Sequence, residues 1–309
     1  MTGRKEAMKG SSDKAPGAST GDAQDDGRPR GATEDVHFFG SGSSKMFGCL
    51  HSPRGQARAG VVVCSPLDIE ARESYRREVL LARSLATHGL AVQRFHYRGA
   101  GNSDGESGDA TTDTMREDAL AAAEWLKEKA KVTKVAFVGT RWGAMVAAGA
   151  AAQCDEARLV LWEPVIDGAR YFRELVRRLL IRDMMKNPQA VSSRDPLAEF
   201  RQAGFVDVLG YRIDHALYQS GIGRTLAKEL GEVPRSILLV QISGKQGLLS
   251  EYRDLLARCK ERGFSVESEV IGERIAWGFS DQRSGADEGR PGTQMLLKGT
   301  RDWLRRQFP

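Results

Sequence analysis

Residues 135–144 of the chain read VAFVGTRWGA, and this stretch decides the fold. Its first four residues are apolar, as in a short strand that is buried on both faces. Gly139 and Gly143 then flank a turn, and the Ala-, Gly-, Met- and Val-rich residues 142–152 predict a helix. The stretch therefore predicts a buried strand that turns sharply into a helix, with Arg141 at the turn.

Strands and helices alternate on both sides of this turn. Further strands are predicted at 38–39, 46–50, 61–64, 90–95, 159–162, 237–242 and 264–270, and helices at 72–87 and 294–307. Gly89 is placed to end the helix at 72–87 as a glycine just past its C-terminus. The alternation predicts an α/β fold with a mostly parallel, doubly wound sheet and helices on both faces.

Composition divides the chain into a tail and one large domain. Residues 1–33 are polar and glycine-rich and hold almost no aliphatic residues, so we expect a disordered tail. Residues 34–309 form the predicted domain. The alternation lapses between about 165 and 234, which we interpret as a mainly helical cap inserted into that domain.

Charge and cysteine content exclude several classes of function. Lys and Arg number 46 against 41 Asp and Glu, a net charge of +5 that does not indicate a nucleic-acid-binding protein. The four cysteines form no CxxC pair, so neither a disulfide framework nor a metal site is expected, and a reducing cytoplasm is the simplest setting. No stretch reads as a membrane span or a secretory signal. No phosphate-binding loop is present, and we expect no cofactor.

A second motif precedes the turn at 139–143. Residues 95–105 read FHYRGAGNSDG directly after a predicted strand. Together the two motifs resemble the α/β-hydrolase fold, in which a G-x-S-x-G turn presents the catalytic nucleophile. Shorter stretches at 64–67, 70, 76–77, 161–168 and 209–211 are similar to the serine-aminopeptidase-like hydrolases of bacteria, and most of all to the exosortase-associated hydrolase 2 group.

The chain departs from that family at every catalytic position. Arg141 occupies the place of the nucleophile, and a guanidinium cannot act as one because it stays protonated. Residues 243–250, where the family's acid should lie, contain no carboxylate. The segment after residue 270, where the family's base should lie, contains no histidine. All three roles of a Ser-His-Asp triad are vacant.

Three other groups of residues could carry a function. Ser65, Ser103, His96 and Glu163 could form a substitute triad, although serines in loops usually make turn hydrogen bonds. His215 follows Asp214, which we interpret as the N-cap of a helix with a solvent-facing histidine. The helix at 170–186 has an apolar stripe and five arginines, which suits a cap helix better than a membrane-surface helix.

Three functions remain open on this sequence. The first is a catalytically degenerate member that binds a small anionic or acyl ligand, or a partner protein, in the former active-site pocket. The alternatives are an active hydrolase or acyltransferase with non-standard residues, and an interaction scaffold with a filled pocket. The candidate pocket residues are Arg141, Trp142, Leu67, Asp68, His96 and Glu163.

Arg141 needs an anion if the pocket buries it. The candidates within the chain are Asp68, Glu70, Glu163 and Asp167, all expected along the same edge of the sheet. An internal salt bridge would plug the former site. Without such a bridge, Arg141 would be a standing site for the carboxylate or phosphate of a ligand.

Overall fold

A computed structural model describes residues 32–40, 44–186, 198, 202–208, 210–233, 235–245, 247–273, 277 and 290–309. Most of the predicted tail, residues 1–31, lies outside the described residues. Its last two residues, Ala32 and Thr33, already belong to the first strand, so the described part of the domain begins two residues earlier than expected.

The centre of the molecule is an eight-stranded sheet with the order β1-β2-β4-β3-β5-β6-β9-β10. Its strands are β1 Ala32–Phe39, β2 Met46–Pro53, β3 Ala59–Cys64, β4 Leu90–Phe95, β5 Val135–Thr140, β6 Arg158–Trp162, β9 Ser236–Ile242 and β10 Ser265–Ile271. Six strands of this sheet run parallel to one another: β3, β4, β5, β6, β9 and β10. Strands β1 and β2 form an antiparallel hairpin at one edge, and β2 pairs antiparallel with β4. The mostly parallel, doubly wound sheet predicted from the sequence is confirmed.

Helices cover both faces of the sheet. They are α1 Asp68–Thr87, α2 Thr112–Ala130, α3 Trp142–Ala151, α7 Ser250–Glu261 and α8 Pro291–Gln307. One apolar core lies under α1 and α8, and the other lies under α2, α3 and α7. Strands β3 and β5 are buried along their whole length, because each face carries a layer of helices.

An insertion between β6 and β9 forms the cap. It contains α4 Gly168–Lys186, the strands β7 Phe205–Val208 and β8 Tyr211–Asp214, and the short helices α5 His215–Gly221 and α6 Leu226–Glu229. The antiparallel hairpin of β7 and β8 was not expected in a segment interpreted as mainly helical. In β7, Val206 and Val208 are buried and Asp207 between them is exposed. A repeat of two residues is the period of a strand and not of a helix.

Candidate functional site

Arg141 lies at the sharp turn between β5 and α3, where the sequence placed it. Its φ of 52° and ψ of −115° put a non-glycine residue in a region that side chains rarely adopt. Hydrogen bonds hold the turn: the Arg141 amide donates to the Trp162 carbonyl at 3.0 Å, and the Val165 amide donates to the Arg141 carbonyl at 3.3 Å. These hydrogen bonds fix the backbone of Arg141 in the strained turn.

The two flanking glycines are required by close backbone contacts. A Cβ on Gly139 would lie 2.4 Å from the Gly143 carbonyl oxygen. A Cβ on Gly143 would lie 2.1 Å from the carbonyl oxygen of Cys64, at the end of the neighbouring strand. The G-x-R-x-G spacing thus follows from how tightly α3 packs against β3 and β5.

A buried ion pair engages the side chain of Arg141. Its Nε lies 3.1 Å from Oε1 of Glu70, whose side chain is fully buried in the first turn of α1. The Tyr171 hydroxyl donates to the other carboxylate oxygen of Glu70 at 2.9 Å. Both oxygens of this buried carboxylate therefore have partners, as a buried charge requires. Among the four carboxylates suggested by the sequence, Glu70 forms the salt bridge.

The guanidinium also lies between two aromatic rings. Its central carbon is 5.8 Å from the centre of the Tyr171 ring and 5.5 Å from that of Trp277. Burial alone would lower the pKa of Arg141, but the adjacent Glu70 and the Tyr171, Tyr252 and Glu163 side chains outweigh it, so the pKa is raised. Arg141 is therefore a permanent cation.

Glu163 follows β6 and lies beside Arg141. The Arg141 Nη1 donates to its carbonyl oxygen at 3.3 Å, and one carboxylate oxygen accepts a hydrogen bond from the backbone N–H of Ile242. Burial raises the pKa of Glu163, against the opposing effects of the Ile242 hydrogen bond and Arg141. This side chain is a carboxyl group whose charge is disfavoured by its surroundings.

A pocket of about 740 Å³ opens above this turn. Helix α4, helix α7 and the segments after β6 and β9 line it, together with Trp277. Four of its lining residues are cationic and four are acidic: Arg141, Arg170, Arg178, Lys245, Glu163, Asp167, Glu174 and Glu251. Its other wall is apolar and aromatic, with Val165, Ile166, Leu249, Tyr171 and Tyr252.

The structure does not bring all six candidate pocket residues together. Arg141 and Glu163 line this pocket. Trp142 is fully buried, with its ring stacked 5.3 Å from Tyr171. Leu67, Asp68 and His96 line other cavities, next to the N-terminus of α1. The six residues follow the ends of neighbouring strands, but those that line cavities do not share a single one.

The residues of the possible substitute triad are not joined through their reactive atoms. Ser65 donates to Glu78 at 2.7 Å, and Ser103 donates to the His96 carbonyl at 2.8 Å. The His96 ring accepts a hydrogen bond from the Asn102 amide at 3.1 Å. These are local bonds within turns and between neighbouring elements, and neither serine is hydrogen-bonded to a histidine ring.

Two further predictions concern the cap. Helix α5 begins at His215 after Asp214, as expected, but the Asp214 carboxylate accepts from Ser107 at 2.7 Å and makes no capping bond to the helix. Helix α4 lays Phe172 against the Trp142 ring at 5.0 Å and exposes Arg173 and Arg177. Helix α4 therefore packs directly on the turn that carries Arg141.

Sequence reasoning missed two residues at the site. Tyr171 was placed only as part of a helix, and its contact with Glu70 spans 101 positions. Glu251 follows directly after the segment searched for a triad acid, but it pairs with Arg170. Among the described residues, no cluster of His, Cys, Asp and Glu is suited to hold a metal ion. None of the described helices is long and apolar enough to cross a membrane.

Comparison with known sequences gives partial matches. The family model described as serine aminopeptidase, S33, matches residues 55–201. Two uncharacterized proteins of Mycobacterium tuberculosis are 35% identical over 119 residues, which is 37% of this chain and 41% of theirs. The match spans about two fifths of the length of these relatives. The match to the family model includes the turn at Arg141.

Comparison with solved structures covers nearly the whole chain. Est1E of Butyrivibrio proteoclasticus, with ferulic acid bound, has a TM-score of 0.59 and 13% identity over 88% of this chain and 98% of its own. An esterase of Pyrococcus furiosus has a TM-score of 0.60 and 14% identity over 95% and 97%. The α/β hydrolase GrgF of a Penicillium species has a TM-score of 0.56 and 17% identity over 90% and 99%. The chain has the α/β-hydrolase fold.

Proposed function

We propose that this protein is a catalytically degenerate member of the α/β-hydrolase superfamily that binds a small organic acid in the pocket above Arg141. The observation that carries the proposal is the Arg141–Glu70 ion pair at the position of the nucleophile. A guanidinium held by a buried carboxylate can neither attack an acyl carbon nor be easily displaced. The ion pair occupies the place where acyl chemistry would begin.

The rest of the pocket supports the absence of a nucleophile. Its described lining residues include three hydroxyl groups, those of Tyr171, Ser243 and Tyr252, and no histidine. Tyr171 donates to Glu70, Tyr252 donates to the Pro164 carbonyl at 3.0 Å, and Ser243 accepts from Gln241 at 2.9 Å. Burial raises the pKa of both tyrosines, which keeps them protonated. A hydroxyl without a base is a weak nucleophile.

One cation of the lining, Lys245, could bind an acidic ligand. Arg170 pairs with Glu251, and Arg178 lies 3.9 Å from Glu174, so these four charges balance one another. Lys245 has no ion pair among the described residues. The cationic and acidic lining residues are equal in number, so Lys245 is the cation with which a carboxylate could pair. Apolar and aromatic side chains beside it could receive an acyl or aryl group.

The experiment uses ferulate, octanoate and acetate as probes on the full chain. Ferulate is chosen because a structural neighbour was solved with ferulic acid bound. We expect ferulate or octanoate to bind more tightly than acetate, because only they fill the apolar wall. Calorimetry should show weaker binding in Lys245→Ala and unchanged binding in Lys134→Ala, an exposed lysine elsewhere. No binding of any probe, or equal binding by both variants, would contradict the proposal.

The narrower relationship, to the exosortase-associated hydrolase 2 group, is also part of this proposal. It rests on the short stretches of similar sequence at 64–67, 161–168 and 209–211. Of these, residues 64–67 lead from β3 into α1, and residues 161–168 lead from β6 into the cap. Glu70, which follows residues 64–67, is the ion-pair partner of Arg141. The similarity therefore falls on segments next to the Arg141 turn.

A further inference from the structure

A second cavity lies beside α1 and shares no lining residue with the pocket above Arg141. It has a volume of about 570 Å³ and opens between β2, β4 and α1. Cys49, Tyr75, Glu78, Arg94 and His96 are among its lining residues. The volume falls within the range of small-molecule sites.

Arg94 is the unusual residue of this cavity. Within the described part of the chain its guanidinium makes no hydrogen bond or ion pair, and its Nε is buried without a partner. It rests on the Tyr75 ring, with its central carbon 4.7 Å from the ring centre. Arg83 in the same cavity is different, since it binds both carboxylate oxygens of Glu34 at 2.6 and 3.2 Å. Arg94 is therefore a cation that no carboxylate contacts directly within the described part of the chain.

The nearest buried acid does not neutralise Arg94 by direct contact. Glu78 accepts a hydrogen bond from Ser65 at one oxygen, and its other oxygen is buried without a partner among the described residues. Burial raises the pKa of Glu78, against the opposing effects of its hydrogen bond with Ser65 and of the charge of Arg94. The N–H donors of Arg94 are therefore not engaged by Glu78 and can reach a ligand.

We propose that this cavity is a second ligand site, in which Arg94 binds a small carboxylate or phosphate. The guanidinium supplies a charge-assisted fork of N–H donors for the two oxygens of either group. Tyr75 holds the plane of the guanidinium from one side and leaves its edge for the anion. The site is independent of the proposed pocket above Arg141, since the two cavities share no lining residue.

Cys49 provides a reporter inside the same cavity. It is a free cysteine that lines the cavity, and its Sγ lies 3.5 Å from Nε2 of His51. A ligand bound at Arg94 should hinder the access of a thiol reagent to Cys49. Cys154 is also free and partly exposed, but it lies outside the cavity and serves as an internal control.

The test follows alkylation of Cys49 by N-ethylmaleimide in the full chain, read by peptide mass spectrometry. Acetate and inorganic phosphate are titrated separately, so the anion that protects Cys49 identifies the ligand class. We expect protection of Cys49 and not of Cys154. Protection should need about tenfold more anion in Arg94→Gln and should be unchanged in Arg253→Gln, an exposed arginine of α7.

Arg94→Lys provides a second variant that keeps the charge. It should weaken protection less than Arg94→Gln, because it loses the fork and retains the cation. Thermal melting confirms that each variant is folded. The proposal is wrong if neither anion slows alkylation of Cys49 at concentrations up to about 50 mM. That concentration is well above the dissociation constant expected for one such ion pair. It is equally wrong if Arg94→Gln and Arg94→Lys are protected as well as the unmodified protein.

Discussion

Arg141 couples three parts of the molecule through one side chain. Arg141 is the N-cap residue of α3, forms an ion pair with Glu70 in the first turn of α1, and lies over the Tyr171 ring of the cap. The α3 N-terminus disfavours a cation, whereas the α1 N-terminus favours the carboxylate of Glu70. The ion pair therefore has to offset both the dipole of α3 and the cost of removing two charges from water.

Replacing Arg141 by alanine tests how much the protein depends on this pair. We expect Arg141→Ala to lower the free energy of unfolding by about 3–5 kcal/mol, because Glu70 is left buried and unpaired. Denaturant unfolding measures the change. Adding Glu70→Gln to Arg141→Ala should recover part of the loss, since the unpaired charge is then gone. Arg253→Ala, on the surface, should cost less than about 0.5 kcal/mol. A loss below about 1 kcal/mol in Arg141→Ala would show that the pair is not structural.

Restoring a serine at the turn should not restore catalysis. Arg141→Ser supplies a hydroxyl in the strained turn, but no histidine among the described lining residues can accept its proton. We expect hydrolysis of p-nitrophenyl acetate by Arg141→Ser to equal that by Arg141→Ala, which has the same cavity without the hydroxyl. Turnover clearly above that of the alanine variant would reveal a base that the described residues do not include.

The sequence predicted this residue-scale site in part. Arg141 at the turn, and Glu70 as one of its four possible partners, both follow from residues near the strand ends. The choice of Glu70 does not, because it depends on α1 starting at Asp68 and on Tyr171 donating from the cap. Contacts across about a hundred positions leave no periodic signal in the sequence.

At the scale of single elements, close backbone packing constrains the turn from β5 into α3. Two glycines of α3 allow a matched comparison. A Cβ on Gly143 would lie 2.1 and 2.4 Å from the backbone oxygens of Cys64 and Ser65. A Cβ on Gly149 would meet only side-chain atoms, a carboxylate oxygen of Glu229 at 2.6 Å and the Cδ of Arg116 at 3.0 Å. Backbone of a buried strand cannot move aside, whereas side-chain ends can.

Gly143→Ala should therefore be far more damaging than Gly149→Ala. We expect a loss of about 3 kcal/mol or more for Gly143→Ala, at the upper end of overpacking effects. Gly149→Ala should stay within about 1 kcal/mol, because the gain in helix propensity offsets the displaced side chains. Thermal or urea unfolding of the two variants makes the comparison. Equal stabilities would mean that α3 can shift away from β3.

The cap shows where element prediction from sequence stopped. Strand β8 ends at Asp214 and helix α5 begins at the next residue, His215. Only the helix was expected from the sequence. The hairpin strands have four residues each, too few for a strong alternation. Gly210, at a φ of +84°, and the Asp207 side chain that accepts its N–H at 2.9 Å form the turn. Asp207 and Gly210, three positions apart, were the turn signal available in the sequence.

At the scale of the whole molecule, buried ionisable groups make stability depend on pH. His51 lies in β2 with its side chain almost fully buried, next to Glu34. Burial, and then the charge of Arg94, lower the pKa of His51 to about 4 from 6.5. Below pH 6.5 the unfolded chain takes up a proton at this residue and the folded chain does not, so stability is lost as the pH falls toward 4.

Replacing His51 by asparagine should reduce this acid sensitivity. Between pH 6.5 and about 4, the free energy of unfolding should fall less steeply in His51→Asn than in the unmodified protein, by at most about 1.4 kcal/mol per pH unit. Urea unfolding at several pH values measures both slopes. His215→Asn, in the cap, controls for the loss of a histidine as such. Parallel slopes for His51→Asn and the unmodified protein would show that His51 does not contribute.

The central claim is that this α/β-hydrolase fold has no reactive serine, because Arg141 and Glu70 occupy the place of the nucleophile. The most direct measurement is the intact mass of the folded full-length protein after incubation with a fluorophosphonate, beside an active serine esterase under the same conditions. We predict that the esterase gains the mass of one adduct and that this protein gains none. A stoichiometric adduct on any serine of this protein would contradict the account.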